Sequence, residues 1–116
     1  MKNNFNYNEI FLKILGKSKY EEILTKISEK INDKFKNNIS LETFAKIIEI
    51  NLKTILIIGI SRAIKKPDSE IKEIMYYEKS KKYIMEKDYN TYVKEYSEYI
   101  NIIKKFIENK DENYIY

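Results

Sequence analysis

The chain has 116 residues with no cysteine, no histidine, two glycines and one proline, and 22 Lys and Arg against 18 Asp and Glu give a net charge of +4. Without thiols there is neither a disulfide framework nor a thiolate metal site, and without imidazole the commonest general base and transition-metal ligand are missing. So few turn-forming residues in a chain rich in Lys, Glu, Ile and Leu argue for an all-α fold, and the length suits one helical-bundle domain spanning residues 1–116.

Charge is unevenly placed. The first 67 residues hold thirteen Lys and Arg against seven acids, or +6, whereas residues 68–116 hold nine Lys against eleven acids, or −2. The basic half keeps nucleic acid among the candidate partners, although the overall +4 is far below what a DNA-coating protein carries. Nothing at the N-terminus has the apolar run of a signal peptide, and the longest run, Ile55 to Ile60, is bounded by Lys53 and Arg62. It is far shorter than the roughly 20 residues a membrane span requires. The expectation is a cytoplasmic protein that does not enter the membrane.

In chain order, residues 3–8 form an Asn-rich polar lead and, with residues 110–116, are expected to be flexible. Ile10, Phe11, Ile14 and Leu15 then fit a short helix closed by Gly16. Ser18 and Glu21 have capping-box spacing, and the helix they open puts Tyr20, Ile23, Leu24, Ile27, Ile31 and Phe35 on one stripe. Lys36, Asn37 and Asn38 close it.

Ser40 caps a central helix over residues 41–66, which Pro67 stops because proline disfavours helical backbone in the residue before it. Leu41, Phe44, Ala45, Ile48, Leu52, Ile55, Leu56, Gly59 and Ala63 form one apolar stripe. The opposite side carries Glu42, Lys46, Glu49 and Lys53, and one turn later Ile57, Ile60 and Ile64. A helix that becomes apolar nearly all round must be surrounded on several sides. The predicted architecture is therefore a compact bundle of four or five helices around this central one.

Beyond Pro67, Asp68 or Ser69 caps a fourth helix with Ile71, Ile74, Met75, Tyr77 and Met85 inward, interrupted by Glu78 and Lys81. Asp88 or Asn90 caps the last. Its inward side is Tyr89, Tyr92, Val93, Tyr96, Tyr99, Ile100, Ile103, Phe106 and Ile107, and its outward side is polar.

Chemistry-bearing motifs are nearly absent: there is no Gly-rich phosphate loop, no GxSxG and no HExxH. No catalytic residue, metal or cofactor is expected, and the chain reads as a non-enzyme. Pro67-Asp68 with Glu70-Ile71-Lys72 echoes the acid and ExK elements of a nuclease family, but here they crowd one helical turn, where acids complement the helix dipole. The string FAKIIEINLKTI resembles a DNA-reading helix-turn-helix, with Ala45, Ile50 and then Asn51, Lys53 and Thr54 opening the second helix. Against that, Glu49 stands where the motif's turn has Gly, and Leu56 and Ile57 would face the groove, which favours a continuous helix.

Two surface features point to a partner. Lys72, Tyr76, Lys79, Tyr83 and Lys87 recur at helical steps along one ridge, where lysines neutralise phosphate or carboxylate and tyrosines stack or pack. Arg62, the only arginine, lies in line with Phe44 and Ile55, so it must either pair with a carboxylate within the bundle or emerge at its end. The expectation is a small binding module, an inhibitor or accessory subunit, that occupies a protein or ribonucleoprotein partner. Single-stranded nucleic acid or DNA is the alternative ligand, and the apolar central helix leaves a homodimer open.

Overall fold

The computed structural model describes residues 7–75 and 89–109, and every element among them is a helix. They are α1 (Tyr7–Leu15), α2 (Lys17–Phe35), α3 (Leu41–Ala63), α4 (Asp68–Met75), α5 (Tyr89–Glu95) and α6 (Ser97–Glu108). The all-α bundle expected from composition is what the chain forms. α3 is its centre, packing chiefly on α6 and also on α2, α4 and α1.

Local chemistry accounts for most of the boundaries. Gly16, at φ 87°, ends α1 by donating its N–H to Leu12 O at 2.9 Å and opens α2 at once. Because α2 starts at Lys17, Ser18 lies inside the first turn, and the capping box proposed for Ser18 and Glu21 does not form. The Ser40 cap does form: its Oγ accepts the Thr43 N–H at 3.1 Å. At the other end α3 stops at Ala63, three residues short of the predicted limit. Lys65 adopts a left-handed φ of 60° and the Lys66 N–H reaches back to Ser61 O at 2.8 Å. This closure satisfies the last carbonyls before Pro67 is reached. The Pro67 carbonyl then accepts from Glu70 N at 3.0 Å and begins α4, so neither Asp68 nor Ser69 serves as the cap.

The predicted last helix is two helices, which brings the total to six among the described residues. Tyr96 leaves helical geometry at φ −109°, ψ 21°, although Tyr96 N still bonds Tyr92 O and Ile100 N still bonds Tyr96 O. Asn90 lies within α5 rather than capping it, and Asp88, Tyr77 and Met85 lie outside the described residues. Tyr7 and Asn8, placed in the polar lead by sequence, belong to α1.

The core follows the predicted stripes of α2, α5 and α6 closely: Ile23, Ile27, Ile31, Tyr92, Tyr96, Tyr99, Ile100, Ile103 and Ile107 are all buried. α3 departs from its stripe at both ends. Leu41 is 88% exposed, since the first turn of α3 projects beyond its neighbours. Further along, Ile47, Asn51, Thr54, Ile58 and Ser61 are buried on a flank counted as outside the stripe, while Ile57 and Ile60 are half-buried. The polar members are accommodated by bonds to the preceding turn, Asn51 Nδ2 to Ile47 O and Thr54 Oγ1 to Ile50 O, both at 2.8 Å.

At Gly59 α6 lies hard against the backbone of α3. A Cβ built there would lie 2.7 Å from Ile103 Cβ and nearer still to Ile103 Cγ2, with Ile100 O at 3.4 Å. An alanine inside a helix is ordinarily favoured over glycine by about 1 kcal/mol. Here the added methyl meets a branched β-carbon and a backbone carbonyl, so α3 and α6 must move apart. Gly59→Ala is expected to destabilise the fold by about 1–3 kcal/mol in urea unfolding, against the gain an uncrowded helical glycine would give.

Candidate functional site

Three helix ends meet at Tyr89. The C-terminal turn of α3 supplies Arg62, α4 supplies Asp68 from its first turn and Lys72 from its last, and α5 begins with Tyr89, which is 3% exposed. Arg62 Nη2 donates to Tyr89 Oη at 3.1 Å, and that hydroxyl donates to Asp68 Oδ1 at 3.3 Å. Arg62 Nη2 itself is 3.9 Å from Asp68 Oδ1, and Lys72 Nζ stands 5.5 Å above the tyrosine ring. One tyrosine thus holds two cations, one through its hydroxyl and one through its face. Lys65 and Lys66, which follow Arg62 in the chain, are exposed, and Lys66 pairs with Glu70 at 3.3 Å.

Arg62 does not pair with a carboxylate inside the bundle, because the one beside it, Asp68, is exposed. The arginine emerges at the end of the bundle with its side chain 35% exposed, and it pairs with a carboxylate there. Its Nε is enclosed and has no hydrogen-bond partner among the described residues. A half-solvated pair of this kind contributes at most about 1 kcal/mol, so it orients the guanidinium more than it stabilises the fold. Lys72 is exposed and Ile71 buried, as the ridge required. Tyr76, Lys79, Tyr83 and Lys87, the other predicted contact residues, lie outside the described residues. Of the predicted set, Arg62 and Lys72 are therefore brought together. Tyr89, read from sequence as a core residue only, is what joins them. A sequence signal for it was faint: a tyrosine at the start of an amphipathic helix can reach a rim with its hydroxyl.

A second charged seam, not anticipated from sequence, runs where α2 crosses α5 and α6. Lys19 pairs with Glu98, Lys30 with Glu95 at 3.0 Å, and Tyr99 Oη donates to Glu22 Oε1 at 2.8 Å. Lys26 Nζ lies 5.8 Å and 5.6 Å from the ring centres of Tyr96 and Tyr99. An open depression of about 300 Å³ lies along this seam, lined by Glu22, Thr25, Lys26, Glu29, Glu98 and Tyr99. The Tyr99 hydrogen bond, helped by Lys19 and Lys26, holds the Glu22 carboxyl below its ordinary 4.5. Burial first, and then the Glu22 carboxylate, push the Tyr99 hydroxyl well above its ordinary 10.0.

The helix-turn-helix reading required a turn near Glu49 and Ile50, whereas α3 is continuous there and Asn51 is wholly buried. No group of three or more Asp or Glu side chains suited to a metal ion occurs among the described residues. No helix among them is long and apolar enough to cross a membrane. The chain matches no protein-family model, no curated protein and no solved structure.

Two measurements check these ties. Tyr89→Phe removes the hydroxyl shared by Arg62 and Asp68 while keeping the ring, and should cost about 1 kcal/mol in urea unfolding. For the seam, Glu22 has a folded pKa below its unfolded value, so its share of stability is present above about pH 4.5 and is lost as pH falls through the folded value. Tyr99 has the opposite sign, its share complete below about pH 10.0 and lost as pH rises further. The stability deficits of Glu22→Gln and Tyr99→Phe should accordingly be largest between those limits and shrink outside them.

Proposed function

We propose that this protein is a non-enzymatic helical binding module that acts by occupying a protein or ribonucleoprotein partner, as an inhibitor or accessory subunit. The observation that carries this reading is the corner at Tyr89, where Arg62 and Lys72 are held at the surface by a buried ring rather than left on free side chains. Cations fixed in this way lose little conformational entropy when an acidic surface binds, and a planar guanidinium can take a carboxylate through two parallel bonds. Tyr76, Lys79, Tyr83 and Lys87, read from the sequence as partner contacts, belong to the same proposal, the two tyrosines as packing anchors. A cytoplasmic location is part of this proposal.

Single-stranded nucleic acid is the second reading, favoured by the exposed Lys65 and Lys66 that follow Arg62 and by the +6 charge of the first 67 residues. Salt and nuclease separate the two. The full chain, tagged and recovered from its native lysate, is expected to bring down one polypeptide that nuclease does not release. Lys72→Glu with Arg62→Gln should weaken that capture about tenfold or more while leaving thermal unfolding of the module cooperative. Recovery of nucleic acid alone, lost on nuclease treatment and steeply dependent on salt, would replace the protein-partner reading with the second.

A further inference from the structure

The outer ridge of α3 carries four charges of alternating sign, Glu42, Lys46, Glu49 and Lys53, all exposed. At 3.6 residues per turn they fall within about 60° of one another, and Ala45 and Ile50 flank them about 70° to either side. Glu42 with Lys46 and Glu49 with Lys53 have the spacing and order that best favour pairing along a helix. Elsewhere the same spacing does close, at 3.3 Å for Lys66–Glu70 and 2.9 Å for Lys104–Glu108. Yet none of the four ridge charges forms an ion pair with a described residue.

The order of signs selects a partner. Laid antiparallel against a second α3, Glu42 meets Lys53 and Lys46 meets Glu49, and both pairs are centred on one point between Ile47 and Ile48. A single two-fold axis therefore satisfies all four pairs, whereas a parallel arrangement sets like charge against like. Self-complementarity about one axis is the requirement of an isologous dimer. We infer that the outer ridge of α3 is a docking surface for a second copy of this chain, packed antiparallel about a two-fold axis between Ile47 and Ile48.

Solvated pairs contribute little each, so the aliphatic stems of Lys46 and Lys53 packing over Ala45 and Ile50 must supply much of the rest against the cost of association. The dimer is thus weak and salt-sensitive. It involves the opposite end of α3 from Arg62, so it goes beyond the partner reading and stands or falls separately from it.

Sedimentation equilibrium of the full chain at low salt tests this, reading mass against the 14.1 kDa of one copy. Reversible doubling that weakens with added salt is expected, and a single-copy mass at every concentration up to about 1 mM overturns the inference. Lys46→Glu or Glu49→Lys alone should weaken self-association about tenfold or more. The two changes combined in one chain restore opposite signs and should restore the dimer, and mixing the two single variants should give a heterodimer only. A doubled mass indifferent to all three variants places the contact elsewhere and overturns the inference. All four side chains are exposed, and circular dichroism of each variant checks that the fold is intact.

Discussion

The bundle depends on how closely α3 and α6 approach at Gly59. Only a residue without a Cβ admits Ile103 and the Ile100 carbonyl to the surface of α3, and the close contact lets Ile100, Ile103 and Ile107 bury together. Once α6 lies there, α5 has little freedom, because hydrogen bonds from Tyr96 to Tyr92 and from Ile100 to Tyr96 tie the two across the break. α5 is then delivered along α3 so that Tyr92 faces Asn51 and Tyr89 faces Arg62. The candidate corner is in this sense a consequence of one missing methyl three residues earlier on α3.

A buried polar contact fixes the register that this packing leaves open. Tyr92 Oη donates to Asn51 Oδ1 at 2.8 Å and lies 3.2 Å from Asn51 O, while Asn51 Nδ2 donates to Ile47 O. Apolar contacts tolerate sliding by a fraction of a turn, but a hydroxyl and an amide in a dry interior do not, because a lost partner leaves a desolvated group costing about 1–3 kcal/mol. The pair therefore pins α5 at one height on α3. That in turn sets Tyr89 at the level of Arg62, eleven residues beyond Asn51.

Apolar periodicity made the helices of this chain legible wherever one face meets a core, and α2, α5 and α6 bury the stripes that their sequences display. It was blind in α3, where Asn51 and Thr54 are buried because each satisfies itself on the carbonyl one turn back, a feature that counting apolar residues cannot register. Leu41 fails the other way, its stripe position being correct and its burial absent, because how far neighbouring helices extend is not written in local sequence. Helix ends erred by a few residues where backbone closures intervened, at Lys65 in a left-handed conformation and at the Pro67 carbonyl. The corner was half legible. Arg62 and Lys72 stood out as an isolated arginine and a ridge lysine, but the tyrosine joining them lies 27 residues from Arg62 and could not be picked from eleven by spacing alone.

The use this fold makes of lysine and tyrosine also bears on what the surface recognises. In single-stranded nucleic-acid binders an alternation of these residues leaves ring faces open for bases. Among the described residues the rings are already engaged: Lys26 stands over Tyr96 and Tyr99, Lys30 over Tyr96, and Lys72 over Tyr89. A cation on a ring face closes that face to a base. The other faces and edges of Tyr89, Tyr96 and Tyr99 are buried in the bundle. What these tyrosines present outward is a positioned ammonium or guanidinium rather than a π-surface. Such an array suits a carboxylate or a phosphate oxygen better than it suits a stacked base.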